Sequence, residues 1–170
     1  MLLALNILEA VAVDLAALRA PQGLNAVAGI LLVVTLPREP RVTRMGEAGR
    51  FKDLHYQGLS RGWIIGFTLW NWTFLYLNYP MLAGHHIAVL GTALAVGLVD
   101  PARWLWARMF TLATDLLLLA TFGEFLLPRM DTSDWSDPSL EIAVAGMTLI
   151  VGTAIVHDTG AESSVVSGRN

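Results

Sequence analysis

Seven ionisable side chains interrupt stretches that are otherwise apolar: Glu9, Asp14, His85, His86, Arg108, Asp115 and Glu124. The amides Asn6, Asn25, Asn71 and Asn78 fall in the same stretches. In a hydrocarbon environment such groups are costly. They face a bundle interior or a water-filled path, pair with one another, and mark routes for protons or ions. Asp115 and Glu9 are the strongest candidates, because packing alone does not justify a carboxylate in lipid. Asn71 and Asn78 read more simply as glue between helices, where interhelical hydrogen bonds contribute about 0.6–2 kcal/mol. Arg108 has the alternative of reaching the interface along its aliphatic stem.

His85-His86 is the sharpest pair. Imidazole is the commonest metal ligand and titrates near neutral pH. A metal or haem held by His85 or His86 is therefore one reading, although no cofactor is predicted outright. Against it, adjacent residues on a helix diverge by about 100°. The strong zinc spacing, two histidines four apart with a glutamate beside the first, is absent. A cap or interface role at the start of a helix is the plainer reading.

Helical spacing sorts these groups further. Arg108 and Asp115 share a face, with Thr111 between them, and Glu124 points the opposite way. Thr68, Asn71 and Asn78 form a second stripe, and Asn6 neighbours Glu9. By depth, the His pair, Asn78, Tyr79 and Glu124 fall near one membrane surface. Asp115 and Asn71 fall nearer the midplane, with Glu9 or Asp14 beside them, and Arg108 nearer the other side. A column of titratable groups at graded depth suits proton or ion movement if the helices face one another.

The elements that would position them are apolar segments at Leu2–Leu18, Leu24–Leu36, Gly62–Tyr79, Leu82–Val99, Trp104–Leu127 and Leu140–Val156. A bilayer core takes about 17–25 residues of helix, which the last four meet or approach. Backbone polar groups in lipid must be satisfied internally, which selects helices, and nothing alternates with the two-residue period of a membrane barrel. The fold class expected is an all-α polytopic transmembrane bundle of six spans, with Pro21-Gln-Gly23 as the turn between the first two. The alternative keeps four full spans and makes residues 2–36 a re-entrant or interfacial hairpin. Residues 1–157 form one helical domain, and 158–170 form a polar tail expected to fray.

Arg38, Arg41, Arg44, Arg50, Lys52 and Arg61 crowd one loop, and Arg103 falls in another link on the same side. The opposite side has Arg19 and Arg129 and the acidic loop with Asp131, Asp134, Asp137 and nearby Glu141. Basic loops remain cytoplasmic. Both termini are thus expected in the cytoplasm, in a plasma or inner membrane. Trp63, Trp104, Trp106 and Trp135 fall near segment ends, where amphipathic rings anchor at the interface. Gly84, Ala88, Gly91 and Ala95 line one face of the fourth segment. Ala145, Thr148 and Gly152 line one of the sixth. Small residues there allow close helix packing, within the chain or between subunits.

Composition supports this class. Of 170 residues 55% are hydrophobic and 15% charged, against about 45–50% and about 25% in soluble domains. A net charge of −3 without a basic run excludes a nucleic-acid partner. The absence of cysteine excludes disulfides, thiolate metal sites and a thiol nucleophile. The single lysine, Lys52, lies in a loop, which excludes a Schiff base inside the bundle. No phosphate loop, nucleophile elbow or dinucleotide fingerprint is present, and Asp158-Thr-Gly160 is a chance match to a protease triplet. The start is a poor signal peptide, lacking a basic n-region.

Three functions fit. The first is a proton- or ion-coupled transporter or channel, as a single chain or a homo-oligomer, using Asp115, Asn71 and the His pair. The second is an accessory or scaffold subunit of a larger membrane complex. The third is a membrane enzyme or redox protein using His85 or His86 with Glu124.

Overall fold

The structure is a computed structural model that describes residues 2–37, 41–45 and 53–167. Six α-helices carry it: α1 Leu2–Ala16, α2 Ala20–Val34, α3 Arg61–Asn78, α4 Ala83–Val99, α5 Trp104–Met130 and α6 Pro138–Ser167. Two of them, α3 and α6, start with side-chain caps. The Ser60 hydroxyl accepts the amide of Trp63 to open α3. Asp137 caps α6, accepting the amides of Ser139 and Leu140 at 2.9 and 3.0 Å, with Pro138 following as a first-turn residue.

Among the described residues three stretches are long and apolar enough to cross a membrane: Pro80–Val99, Pro101–Met130 and Pro138–Thr159. The helix α3 has 18 residues, but its amides, hydroxyls and indoles dilute its hydropathy. The helices α1 and α2 have 15 residues each, so each rises only about 22 Å.

The helices α2 and α3 form the centre. Both α1 and α6 pack on α2, α6 also touches α3, and α4 packs on α3 and carries α5 on its far side. The core is aromatic at one end, where Trp63, Phe67, Trp70 and Trp104 meet Ile7, Val11, Leu32 and Ile64. Trp63 stacks on Phe67 and meets Trp104 edge to face, at centroid distances of 5.4 and 5.8 Å. Glycine permits the closest approaches. A Cβ on Gly29 would stand 2.6 Å from Val11 and 2.8 Å from Trp70, and one on Gly97 would stand 2.8 Å from Trp104.

Several expectations are corrected. Pro21 and Gly23 lie inside the first turn of α2 rather than in a turn. Proline is tolerated there because its missing N–H would have no helical partner anyway. The reversal falls at 17–19 instead, where Leu18 takes φ +52°, a conformation that costs a non-glycine residue. Trp63 and Trp104 are buried core, 2% and 1% exposed, because the bundle covers those helix ends. Trp106 and Trp135 do remain exposed.

The basic loop holds two strands, β1 Arg41–Met45 and β2 Asp53–Gln57, paired antiparallel with Thr43 opposite His55. This two-stranded sheet is an addition to the all-α expectation, and strand β2 lies against the start of α5. Arg38, Arg50 and Lys52 lie outside the described residues. The expected frayed tail is helical as far as Ser167, continuing α6. The small-residue face of α6 packs as expected: Ala145, Thr148 and Gly152 are buried, and Gly152 sits against Ala28 of α2. That of α4 is engaged mainly at Gly84, against Thr132 and Trp135, while Ala88 and Ala95 are exposed.

The helix α5 is bent. Asp115 contacts the side chains of His85 and His86, yet Thr132 bonds the amide of Gly84. A straight helix would separate residues 115 and 132 by about 26 Å. The backbone leaves helical geometry at Phe122, with φ −125° and ψ 17°. The bend returns the end of α5 to the start of α4, where Thr132 donates to the Pro80 carbonyl at 2.7 Å. Just outside the span, the Ser133 hydroxyl and amide bond the Asp131 carboxylate and hold it below the usual carboxylate range.

Candidate functional site: two buried carboxylates

The first site lies between α4 and α5, with α3 beside it. The Pro80–Leu82 turn aims the first residues of α4 at α5, and both histidines follow within one turn. His85 Nε2 lies 2.5 Å from Asp115 Oδ1, without the alignment of a hydrogen bond. His86 Nε2 stands 3.9 Å from Asp115 Oδ2. The two rings meet edge to face at 5.0 Å. His86 is oriented by Nδ1, which lies 3.1 Å from the Leu82 carbonyl. If that nitrogen carries the proton, Nε2 is left to accept one on the Asp115 side.

All three side chains are nearly closed to solvent, with Asp115 5% exposed. Two turns earlier on α5, Arg108 reaches Asn71 Oδ1 at 3.4 Å, and its Nη1 is buried without a partner. One carboxylate, two imidazoles, one guanidinium and one amide therefore line a single interhelical seam. Such a set can hold a proton in more than one place and pass it between an oxygen and a nitrogen. Among the described residues no three His, Cys, Asp or Glu side chains are grouped so as to hold a metal ion.

The second site joins α1, α2 and α3. Asp14 is fully buried, and Asn25 and Asn78 each donate to one of its oxygens at 2.7 Å. Asn25 is itself fixed through its carbonyl, which accepts the Trp70 indole at 3.0 Å. Gln22 donates to the Leu77 carbonyl at 3.3 Å.

The remaining candidates separate from these. Glu9 and Asn6 are exposed on α1, and Glu124 is exposed on α5, opposite Asp115 as spacing expects. Glu124 thus does not join the His pair; Asp115 takes that place. The Thr68–Asn71–Asn78 stripe divides, with Asn71 facing Arg108, Asn78 facing Asp14, and Thr68 bonding back to Ile64.

Two participants escaped sequence reading. Gln22 was hidden in what looked like a turn. Glu141 groups by sequence with the acidic residues of the outer side, yet it is 5% exposed, paired with Arg19 and bonded by Ser136 at 3.0 Å. Arg19 and Glu141 fall on the same predicted membrane side with opposite charge, and that was the available signal.

Helices long and apolar enough to cross a membrane, folded around buried carboxylates, define the class as a small helical bundle of membrane-spanning dimensions. The chain belongs to a family of unknown function, DUF5692, whose model matches residues 1–165. No curated protein and no solved structure matches it.

Proposed function

We propose that this protein is a small multi-pass membrane transporter or channel that moves protons, or an ion coupled to protons, past Asp115. One observation carries the reading: a buried carboxylate on α5 is met by two imidazoles from α4, with Arg108 and Asn71 on the same seam. Packing does not require such a set, since apolar residues fill a helix interface at lower desolvation cost. In this reading all six helices cross the bilayer, α1 and α2 as a tight hairpin. Both termini and the basic β1–β2 side face the cytoplasm of a plasma or inner membrane.

The test is proton flux into liposomes containing the purified protein and a trapped pH indicator, driven by a potassium diffusion potential. Asp115→Asn keeps the shape and removes the proton site. Its flux is expected to fall at least about tenfold. Unchanged flux in that variant removes the central claim.

A second reading, an accessory subunit of a membrane complex, is favoured by the outward face of α5. There Glu124 lies exposed between Phe122 and Phe125. A carboxylate facing lipid is costly, and a partner helix would relieve that cost. Co-purification of a second protein after gentle extraction would favour it, and a lone monodisperse species would count against it.

A further inference from the structure

We propose that the junction of α1, α2 and α3 is a binding site for a monovalent alkali cation, with Asp14 supplying the charge and Gln22 and Asn25 the neutral oxygens. The inference does not rest on the proton reading at Asp115. It starts from an imbalance between donors and acceptors. Asp14 is 0% exposed, and among the described residues no cationic side chain pairs with it. Arg19, on the turn just beyond α1, is committed to Glu141. Two amide donors reach the carboxylate, one per oxygen, leaving lone pairs on both.

The other unmatched polar atoms here are also acceptors. Asn25 Oδ1 and Gln22 Oε1 are buried without partners, in residues 0% and 2% exposed. Gln22 and Asn25 are three apart on α2 and so share a face. Gln22 bonds Leu77, the neighbour of Asn78, which places it at the same corner. Water would satisfy the oxygens but would leave the charge uncompensated. A cation does both.

The backbone favours the same sign. Both α1 and α3 end here, at Ala16 and Asn78, and helix C-termini carry partial negative charge. Helix α2 begins here, but Pro21 removes one of the amide donors that its start would otherwise present. Asn78 remains a donor here, its Nδ2 bonded to Asp14 at 2.7 Å and to the Phe74 carbonyl at 2.9 Å. One carboxylate with neutral oxygens matches a single positive charge. A divalent ion would leave a net charge buried in the bundle.

The experiment uses the full-length protein in mild detergent. Its thermal midpoint is followed while NaCl or KCl replaces choline chloride at constant ionic strength. A saturable rise of several degrees with one or both alkali ions is expected, since a ligand of the folded state stabilises it by mass action. Asp14→Asn is expected to abolish the rise. Should that variant fail to fold, Gln22→Leu keeps the carboxylate and is expected to raise the half-saturating concentration about tenfold, the loss of about 1.4 kcal/mol of binding. No alkali-specific rise in the wild type, or an equal rise in either variant, overturns the proposal. So does stabilisation of the wild type by lowered pH alone, which would mark Asp14 as a carboxyl held by its proton.

Discussion

Asp115 receives two imidazoles at unequal range, 2.5 Å from His85 and 3.9 Å from His86. Coulomb interaction falls with distance, and a side chain already committed elsewhere has less to lose. His86 keeps its bond to Leu82 whatever happens at Asp115. A double-mutant cycle between His85→Asn and Asp115→Asn, read by thermal or denaturant unfolding in detergent, is therefore expected to show a coupling energy of about 0.5–3 kcal/mol. The cycle with His86→Asn is expected to show a smaller one. Equal couplings would contradict the geometry. At this scale the sequence was informative about faces and poor about partners. Seven-residue spacing placed Arg108 and Asp115 on one side of α5, and nine-residue spacing placed Glu124 on the other. Periodicity within one helix does not say which neighbour meets that face, so the separate fates of Asn71 and Asn78 were invisible.

Among the elements, packing is set by where backbones come close. Gly29 lets α1 and α3 approach α2, and Gly97 admits the Trp104 ring beside Ile64. Alanine at either position would have to displace buried, ordered neighbours. Gly29→Ala and Gly97→Ala are each expected to destabilise the fold by about 1–3 kcal/mol, read as a lowered thermal midpoint. Gly91→Ala is the control. A Cβ there meets nothing within 4 Å, so stability is expected to hold or rise through better helix propensity. The helices of α3 to α6 were legible because long apolar runs with strong punctuation leave few alternatives. Two signals misled. Proline beside glycine reads as a turn, yet proline is equally at home in a helix's first turn, as Pro21 shows. The strands β1 and β2 are five residues each, too short for a two-residue period to stand out from a polar loop. Gly123 follows the bend at Phe122 and Pro128 lies six residues beyond it, but neither was read as a kink.

The whole molecule's charge is biased by side, with Arg19 and Arg129 as cations of the acidic end. The hairpin β1–β2, the start of α3 and the α4–α5 link lie at one end with Arg41, Arg44, Arg61 and Arg103. Asp131, Asp134 and Asp137 lie in the link between α5 and α6 at the other. The chain contains no cysteine, so single introduced thiols report sidedness without background. In intact cells, a membrane-impermeant maleimide is expected to label Asp134→Cys directly and Gln57→Cys only after lysis. The reverse pattern would invert the orientation, and labelling of both from outside would break the span count. The arrangement of charge was legible in the sequence because it needs no knowledge of contacts. The depth at which Trp63 and Trp104 sit was not, because only the folded bundle covers them.

The bundle is also uneven in height. At the edge of the bundle α1, with α2 beside it, rises only about 22 Å, whereas a bilayer core is about 30 Å thick. If this hairpin crosses the bilayer, as proposed, lipid beside it would thin to meet it next to the α1–α3 junction that holds Asp14. Hydrophobic mismatch costs fractions of a kcal/mol per ångström, so acyl-chain length becomes a variable acting on this corner of the protein. Under that reading, short-chain membranes would relax the corner and long-chain membranes strain it, making bilayer thickness itself a modulator of the proposed site.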